Sequence, residues 1–136
     1  MIDVGCAIIL RNPYLLIAQR KPGDSLAGYW EFPGGKLEDG EELGQCLRRE
    51  VFEELRVEIE PRRILRQKIY QYPSKQLRLH FVLCDWIRGK PVKHDCYDFK
   101  WAPPEGLRNY PFLPADADIL YELNLKKVVL FRKDLF

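Results

Sequence analysis

Val4 to Leu10 is almost wholly apolar, and Tyr14 to Gln19 is a second short apolar run. Asn12-Pro13 between them is a turn signal, so the pair predicts a hairpin of buried strands. Lys21 to Gly28, with Pro22, Gly23, Asp24, Ser25 and Gly28, predicts a loop. Tyr29-Trp30-Glu31-Phe32 predicts a brief strand, stopped by Pro33-Gly34-Gly35. A second loop, Lys36 to Gly40, leads into a helix from about Glu42 to Arg56. Ile64 to Tyr72 and Gln76 to Trp86 predict two more strands, joined around Pro73-Ser74. Their alternation is clearest at Leu77, Leu79, Phe81 and Leu83. Phe99 to Trp101 adds a further strand, and Pro103 to Pro114 is a loop rich in proline and aromatics. Pro114 suits the first turn of a short helix to Leu123. Lys126 to Phe131 reads as a final strand or a packed tail. This order predicts an α/β domain, a mixed sheet with helices packed on it.

Composition narrows the class. A chain of 136 residues, 46% hydrophobic and 31% charged, suits one soluble domain with a single core. No apolar run approaches the roughly 18–20 residues of a membrane span, and the start lacks a secretory pattern. The expectation is a cytoplasmic protein with no membrane partner. Net charge is only +2, from 22 Lys+Arg against 20 Asp+Glu, which argues against binding a nucleic-acid polymer. Cys6, Cys46, Cys84 and Cys96 have no paired spacing, so they read as free thiols rather than zinc ligands.

The helix carries the chemistry. Cys46, Leu47, Val51 and Leu55 form its apolar arc at helical spacing. Glu50 and Glu54 fall inside that arc and Glu53 at its edge, whereas Arg48, Arg49 and Arg56 point elsewhere. The i, i+3, i+4 spacing brings three carboxylates onto one surface. Partly desolvated like charges repel and raise one another's pKa, and a divalent cation among them reverses that cost. All-oxygen ligands suit Mg²⁺ or Mn²⁺. A solvated acidic patch fits the same spacing. The preceding Pro33-Gly34-Gly35-Lys36 favours the metal, because its glycines admit close backbone approach and its lysine reaches a phosphate. Together these describe a metal-polyphosphate site suited to metal-assisted hydrolysis.

Gly35, Glu41 and Arg49-Glu50-Val51-Phe52-Glu53-Glu54-Leu55-Arg56-Val57 resemble the signature box of the Nudix hydrolases, here spanning residues 35–57. Every defined position matches except Arg56, where the family has glycine. Gln19-Arg20, Trp30-Glu31-Phe32-Pro33-Gly34-Gly35-Lys36 and Tyr70-Gln71-Tyr72-Pro73 look like the MutT branch. Pro114-Ala115-Asp116 resembles triphosphate pyrophosphohydrolases of the CTP and oxidised-dGTP type. The likeness covers about residues 2–124; the tail, 126–136, lies outside it. An arginine can take the left-handed conformation of the missing glycine at roughly 1 kcal/mol.

The resemblance implies a Nudix fold, an α/β/α sandwich, in a single domain over 1–136. It implies that Glu50, Glu53 and Glu54 hold the metal, with a backbone carbonyl at Gly34 or Gly35. Arg49 would orient a carboxylate, and Glu41 would brace the loop. A further acid on the loop after the central strands falls at Asp95, with Asp98 as its rival. Arg20 would meet phosphate, and Glu31, Phe32, Pro33, Gly34, Lys36 and Tyr72 would border the substrate. Asp116 would face the base, or else serve as a helix N-terminal residue favoured by the dipole. Tyr72 and Phe112 could stack on a base; His80 and His94 read as packing and loop residues. Phe52, pointing away from the apolar arc, would meet the C-terminal tail or a partner subunit.

The implied activity is Mg²⁺-dependent hydrolysis of a nucleoside triphosphate to the monophosphate and pyrophosphate, with Glu53, Glu54 or Asp95 handling the proton. The alternatives are another nucleoside diphosphate-X substrate, such as ADP-ribose or a dinucleoside polyphosphate, and a non-catalytic nucleotide-binding domain. The protein would act as a monomer or homodimer.

Overall fold

β1 (Ile2–Arg11) and β2 (Tyr14–Gln19) form the predicted hairpin, with Ile9 opposite Leu16 and Leu10 opposite Leu15. They belong to a computed structural model that describes residues 1–123; the expected strand or tail at Lys126 to Phe131 lies outside the described residues. β1 also pairs in parallel with β6 (Gln76–Arg88), which pairs antiparallel with β5 (Glu58–Gln71). β3 (Trp30–Glu31) and β7 (Asp98–Ala102) both pair antiparallel with β2. Among the described residues the sheet is therefore mixed and seven-stranded, its main path running β3-β2-β1-β6-β5.

Both faces of the sheet are covered, which is why β1 is a continuous apolar run rather than an alternating one. Successive residues serve opposite layers. Ala7, Ile9, Leu16 and Val82 pack with Leu47, Val51 and Leu55 of α1 (Leu43–Leu55). Ile8, Ile17, Phe81 and Leu83 pack with Leu107, Ala115, Ile119 and Leu123. Those last residues come from 3-10 turns at Pro104–Asn109 and Pro114–Asp116, followed by helical residues 117–123. This is the expected α/β/α arrangement. Among the described residues no helix is long and apolar enough to cross a membrane.

Boundaries differ from the sequence reading at several points. Gly34–Lys36, expected as a stop and a loop, form β4, antiparallel to β1 with Cys6 opposite Gly34 and Gly5 opposite Gly35. Glycine has poor strand propensity, so only the tertiary pairing makes this strand. β5 begins at Glu58 rather than Ile64, since shifts in register near Pro61 and Arg63 absorb the residues that interrupt its alternation. β3 is shorter than expected, with Tyr29 and Phe32 outside it.

α1 starts after Glu42, whose backbone N–H donates to Gln45 Oε1 at 2.9 Å. It ends at Arg56, which adopts the left-handed conformation (φ 60°, ψ 33°) and donates its N–H to the Phe52 carbonyl at 2.9 Å. The Arg56 guanidinium lies over the Phe52 ring, 5.2 Å from its centroid, and 2.8 Å from His94 Nε2. Among the described residues, the exposed Phe52 thus meets its own helix terminus.

Candidate active site

α1 presents its carboxylates to β4. Glu50 is a quarter exposed and Glu53 more than half exposed, while Glu54 is part-buried. Burial pushes the Glu54 carboxyl well above the usual range, and the charge of Glu31 adds to it. The Gly34 backbone nearby opposes the shift, and the charges of Glu50 and Asp95 add to it. Glu50 is also raised by burial, against the pull of Arg49. Glu50 and Glu54 are thus partly withdrawn from solvent, whereas Glu53 is not.

Arg49 organises the helix start. It pairs with both oxygens of Glu41, at 2.7 and 2.9 Å, and with Glu50 Oε1 at 2.7 Å. It also lies 3.6 Å from Glu53. Glu41 in turn accepts the Glu38 N–H at 3.0 Å, and Arg49 holds its carboxyl down at about 2. The expected brace is in place. Among the described residues no three acids converge to ligating distance, and Glu50 is drawn to Arg49. The donor set nonetheless fits a hard cation. Glu50, Glu53 and Glu54 present anionic oxygens beside the carbonyl-bearing glycine strand, and burial already penalises the unneutralised charge of Glu50 and Glu54. Gly34 must approach closely here, since a Cβ on it would lie 1.9 Å from the Gly5 carbonyl oxygen.

Beside β4 opens a cavity of about 550 Å³. Arg20, Lys36 and Lys75 give it cationic groups, Glu31 a part-buried acid and Asp116 a buried one. Arg20 spans its mouth, donating to Glu31 at 3.1 Å and, through Nε, to the Ser25 carbonyl at 2.7 Å. Asp116 is only 4% exposed. Burial first and the Glu31 charge second push its carboxyl up to about 8, with Lys68 pulling the other way. Asp116 lines the cavity and also stands in the first turn of the Pro114–Asp116 segment that leads into helical residues 117–123.

The segment carrying Asp116 is fixed at both ends. Trp30 N–H donates to Pro111 O at 2.8 Å, and Leu113 N–H donates to Trp30 O at 3.0 Å. On the far side Lys68 pairs with Asp118 at 2.6 Å, and Arg66 pairs with Glu122. These contacts bring Asp116 to the cavity that Glu31 also lines.

Other expected residues separate. Phe32, Gly34, Lys36 and Tyr72 line the cavity. Pro33 does not: it is buried, and its carbonyl accepts the Ala7 N–H at 2.7 Å to dock β4 on β1. Phe112 packs against Phe32, centroids 5.2 Å apart, and is not a cavity wall. His80 is buried between Asp3 (2.9 Å) and Gln67 (2.8 Å), and His94 is exposed at the end of α1. Asp95 donates its backbone N–H to the Glu54 carbonyl at 3.0 Å, and its charge reaches Glu54. Asp98 is turned to its own strand, where its Oδ1 accepts the Phe99 N–H at 2.8 Å. Asp95 is thus tied by its backbone to Glu54, whereas the Asp98 carboxylate is turned to its own strand.

Sequence reading missed the far wall. Val4 and Cys6 on β1, with Leu77 and Leu79 on β6, line the cavity. Their i, i+2 parity was the available signal. Cys6 is a protonated thiol in this setting, raised well above its usual range by burial and then by Asp116 and Glu31.

A mixed sheet between helices, with a glycine strand laid against a carboxylate helix beside a cationic-rimmed cavity, defines a hydrolase of the Nudix class. A profile of the NUDIX domain matches residues 5–122, so the chain belongs to that family. It is 35% identical over 120 residues to a CTP pyrophosphohydrolase of Escherichia coli (strain K12), covering 88% of this chain and 89% of the relative. It is 29% identical over 130 residues to an 8-oxo-dGTP diphosphatase of Buchnera aphidicola subsp. Schizaphis graminum (strain Sg), covering 96% and 97%. The solution structure of the E. coli ORF135 protein superposes with a TM-score of 0.84 at 32% identity, covering 95% of this chain and 92% of that one.

Proposed function

We propose that the protein hydrolyses a nucleoside triphosphate, with a cytosine or an oxidised guanine base, to the monophosphate and pyrophosphate, using Mg²⁺. The observation that carries this reading is a cavity next to the carboxylate helix that both Asp116 and Glu31 line. The names of the relatives, a CTP pyrophosphohydrolase and an 8-oxo-dGTP diphosphatase, support the same two bases.

A divalent cation held by Glu50, Glu53, Glu54 and the Gly35 carbonyl would neutralise phosphate charge and lower the pKa of an attacking water. The chain's own residues supply the rest. Lys36 and Arg20 draw the phosphates to the β4 side of the cavity. Tyr72, part-buried at the β5–β6 turn, offers its ring to the base. Asp116, neutral below about pH 8, donates a hydrogen bond to an acceptor on the base edge, and Glu31 accepts one. Glu53, Glu54 or Asp95 takes the water proton as the bond between the α- and β-phosphates breaks.

The test is a panel of normal ribo- and deoxyribonucleoside triphosphates, 8-oxo-dGTP, 5-methyl-dCTP, ADP-ribose and diadenosine polyphosphates with Mg²⁺. Preference for a cytosine or oxidised-guanine triphosphate supports the reading. Preference for ADP-ribose or a dinucleoside polyphosphate moves the substrate class, and silence with folded protein makes this a binding domain.

A further inference from the structure

The loop between β2 and β3 brings Arg20, Ser25 and Leu26 to the cavity. It is closed on itself: Gly28 N–H donates to the Arg20 carbonyl at 3.0 Å, and Gln19 Nε2 donates to the Gly28 carbonyl at 3.0 Å. Lys21 leaves this pattern. Its ammonium crosses to the Asp95 carboxylate on the loop after β6. That second loop is anchored to the end of α1, where Val92 N–H donates to Leu55 O and Asp95 N–H to Glu54 O, each at 3.0 Å. One ion pair therefore joins the loop that borders the cavity to the loop that carries the fourth acid.

We propose that Lys21 is a positioning residue. Its ion pair holds the Asp95 carboxylate in register with Glu54 and ties the cavity-mouth loop to the same anchor. The backbone of Asp95 is fixed by Glu54, but its side chain is 58% exposed and carries no other ion pair among the described residues. Left alone, an exposed aspartate would spread over its rotamers. Asp98 has no such freedom, being held by the Phe99 N–H and by Lys93 at 3.5 Å. Both partners of the Lys21–Asp95 pair face solvent, so its contribution is to geometry rather than to global stability.

The kinetic consequence rests on the pyrophosphohydrolase reading; the tie between the loops does not, so two arms separate them. In the first, amide hydrogen exchange is followed without nucleotide in wild type, Lys21→Met, Asp95→Asn and the double variant. Each single change should speed exchange at Gly28 and Tyr29 by about two- to fivefold, the scale of one exposed ion pair. The double variant should add nothing. No change, or additive changes, would overturn the proposal whether or not any triphosphate is turned over.

In the second arm, CTP hydrolysis with Mg²⁺ is measured. Lys21→Met should lower kcat about two- to fivefold with KM unchanged, Lys21→Arg should restore it, and the loss should vanish in the Asp95→Asn background. A raised KM, or the same loss in both backgrounds, would instead make Lys21 a direct phosphate contact and refute the positioning role.

Discussion

A Cβ added to Gly35 would lie 2.4 Å from Cδ of Glu50, well inside any tolerable contact. Strand β4 and the carboxylate helix are thus packed together at the point where the acids are displayed. The glycine does more than permit a turn: its missing side chain is the space the Glu50 carboxylate occupies.

Gly35→Ala should therefore displace Glu50 rather than unfold the protein. Overpacking of this kind costs about 1–3 kcal/mol, and a shift of roughly 1 Å in a positioned group costs on the order of 100-fold in rate. Thermal unfolding and triphosphate turnover on the same variant check both parts. An alanine enzyme with full activity would show that Glu50 is not held by this contact.

Glu54→Gln and Glu50→Gln remove one anion each from a set whose burial is already unfavourable. Folding stability should hold or rise slightly, because the raised carboxyls no longer resist ionisation. Turnover should fall by about two orders of magnitude or more. Mg²⁺ titration followed by calorimetry should show weakened binding in both variants.

Asp116 sets a pH signature. Its carboxyl lies at about 8 in the folded chain and near 3.8 when exposed. The folded state thus holds a proton that the unfolded state has released, and stability contributed by this group falls as pH rises from about 4 to about 8. Asp116→Asn should flatten that slope, which denaturant unfolding across pH 5 to 9 would reveal. Base preference among triphosphates should also weaken above about pH 8 in wild type and become pH-independent in the asparagine variant.

Arg56 holds a left-handed conformation that costs a non-glycine residue roughly 1 kcal/mol. Its contacts with Phe52 and His94 offset part of that cost. Arg56→Ala keeps the strain and loses the contacts, whereas Arg56→Gly loses both. The glycine variant should be the more stable of the two by about 1 kcal/mol, with activity unchanged, by urea unfolding and steady-state assay.

The acids of α1 were legible because helical periodicity is local: the apolar arc at Cys46, Leu47, Val51 and Leu55 fixes the phase, and the carboxylates follow. The Glu41–Arg49 brace was legible through the family pattern. The cavity's far wall was not, because Cys6 and Leu79 become neighbours only through the parallel pairing of β1 with β6. β4 was missed for the same reason, its glycines being strand residues only against β1. The different surroundings of Asp95 and Asp98 also needed coordinates: Asp95 is tied by its backbone to Glu54, whereas Asp98 opens β7 and binds its own strand.

The most direct test of the pyrophosphohydrolase reading is product identification after incubation of the protein with Mg²⁺ and CTP or 8-oxo-dGTP. The account predicts nucleoside monophosphate and pyrophosphate in equal amounts, abolished by Glu54→Gln. Nucleoside diphosphate with inorganic phosphate, or turnover that survives Glu54→Gln, would contradict it.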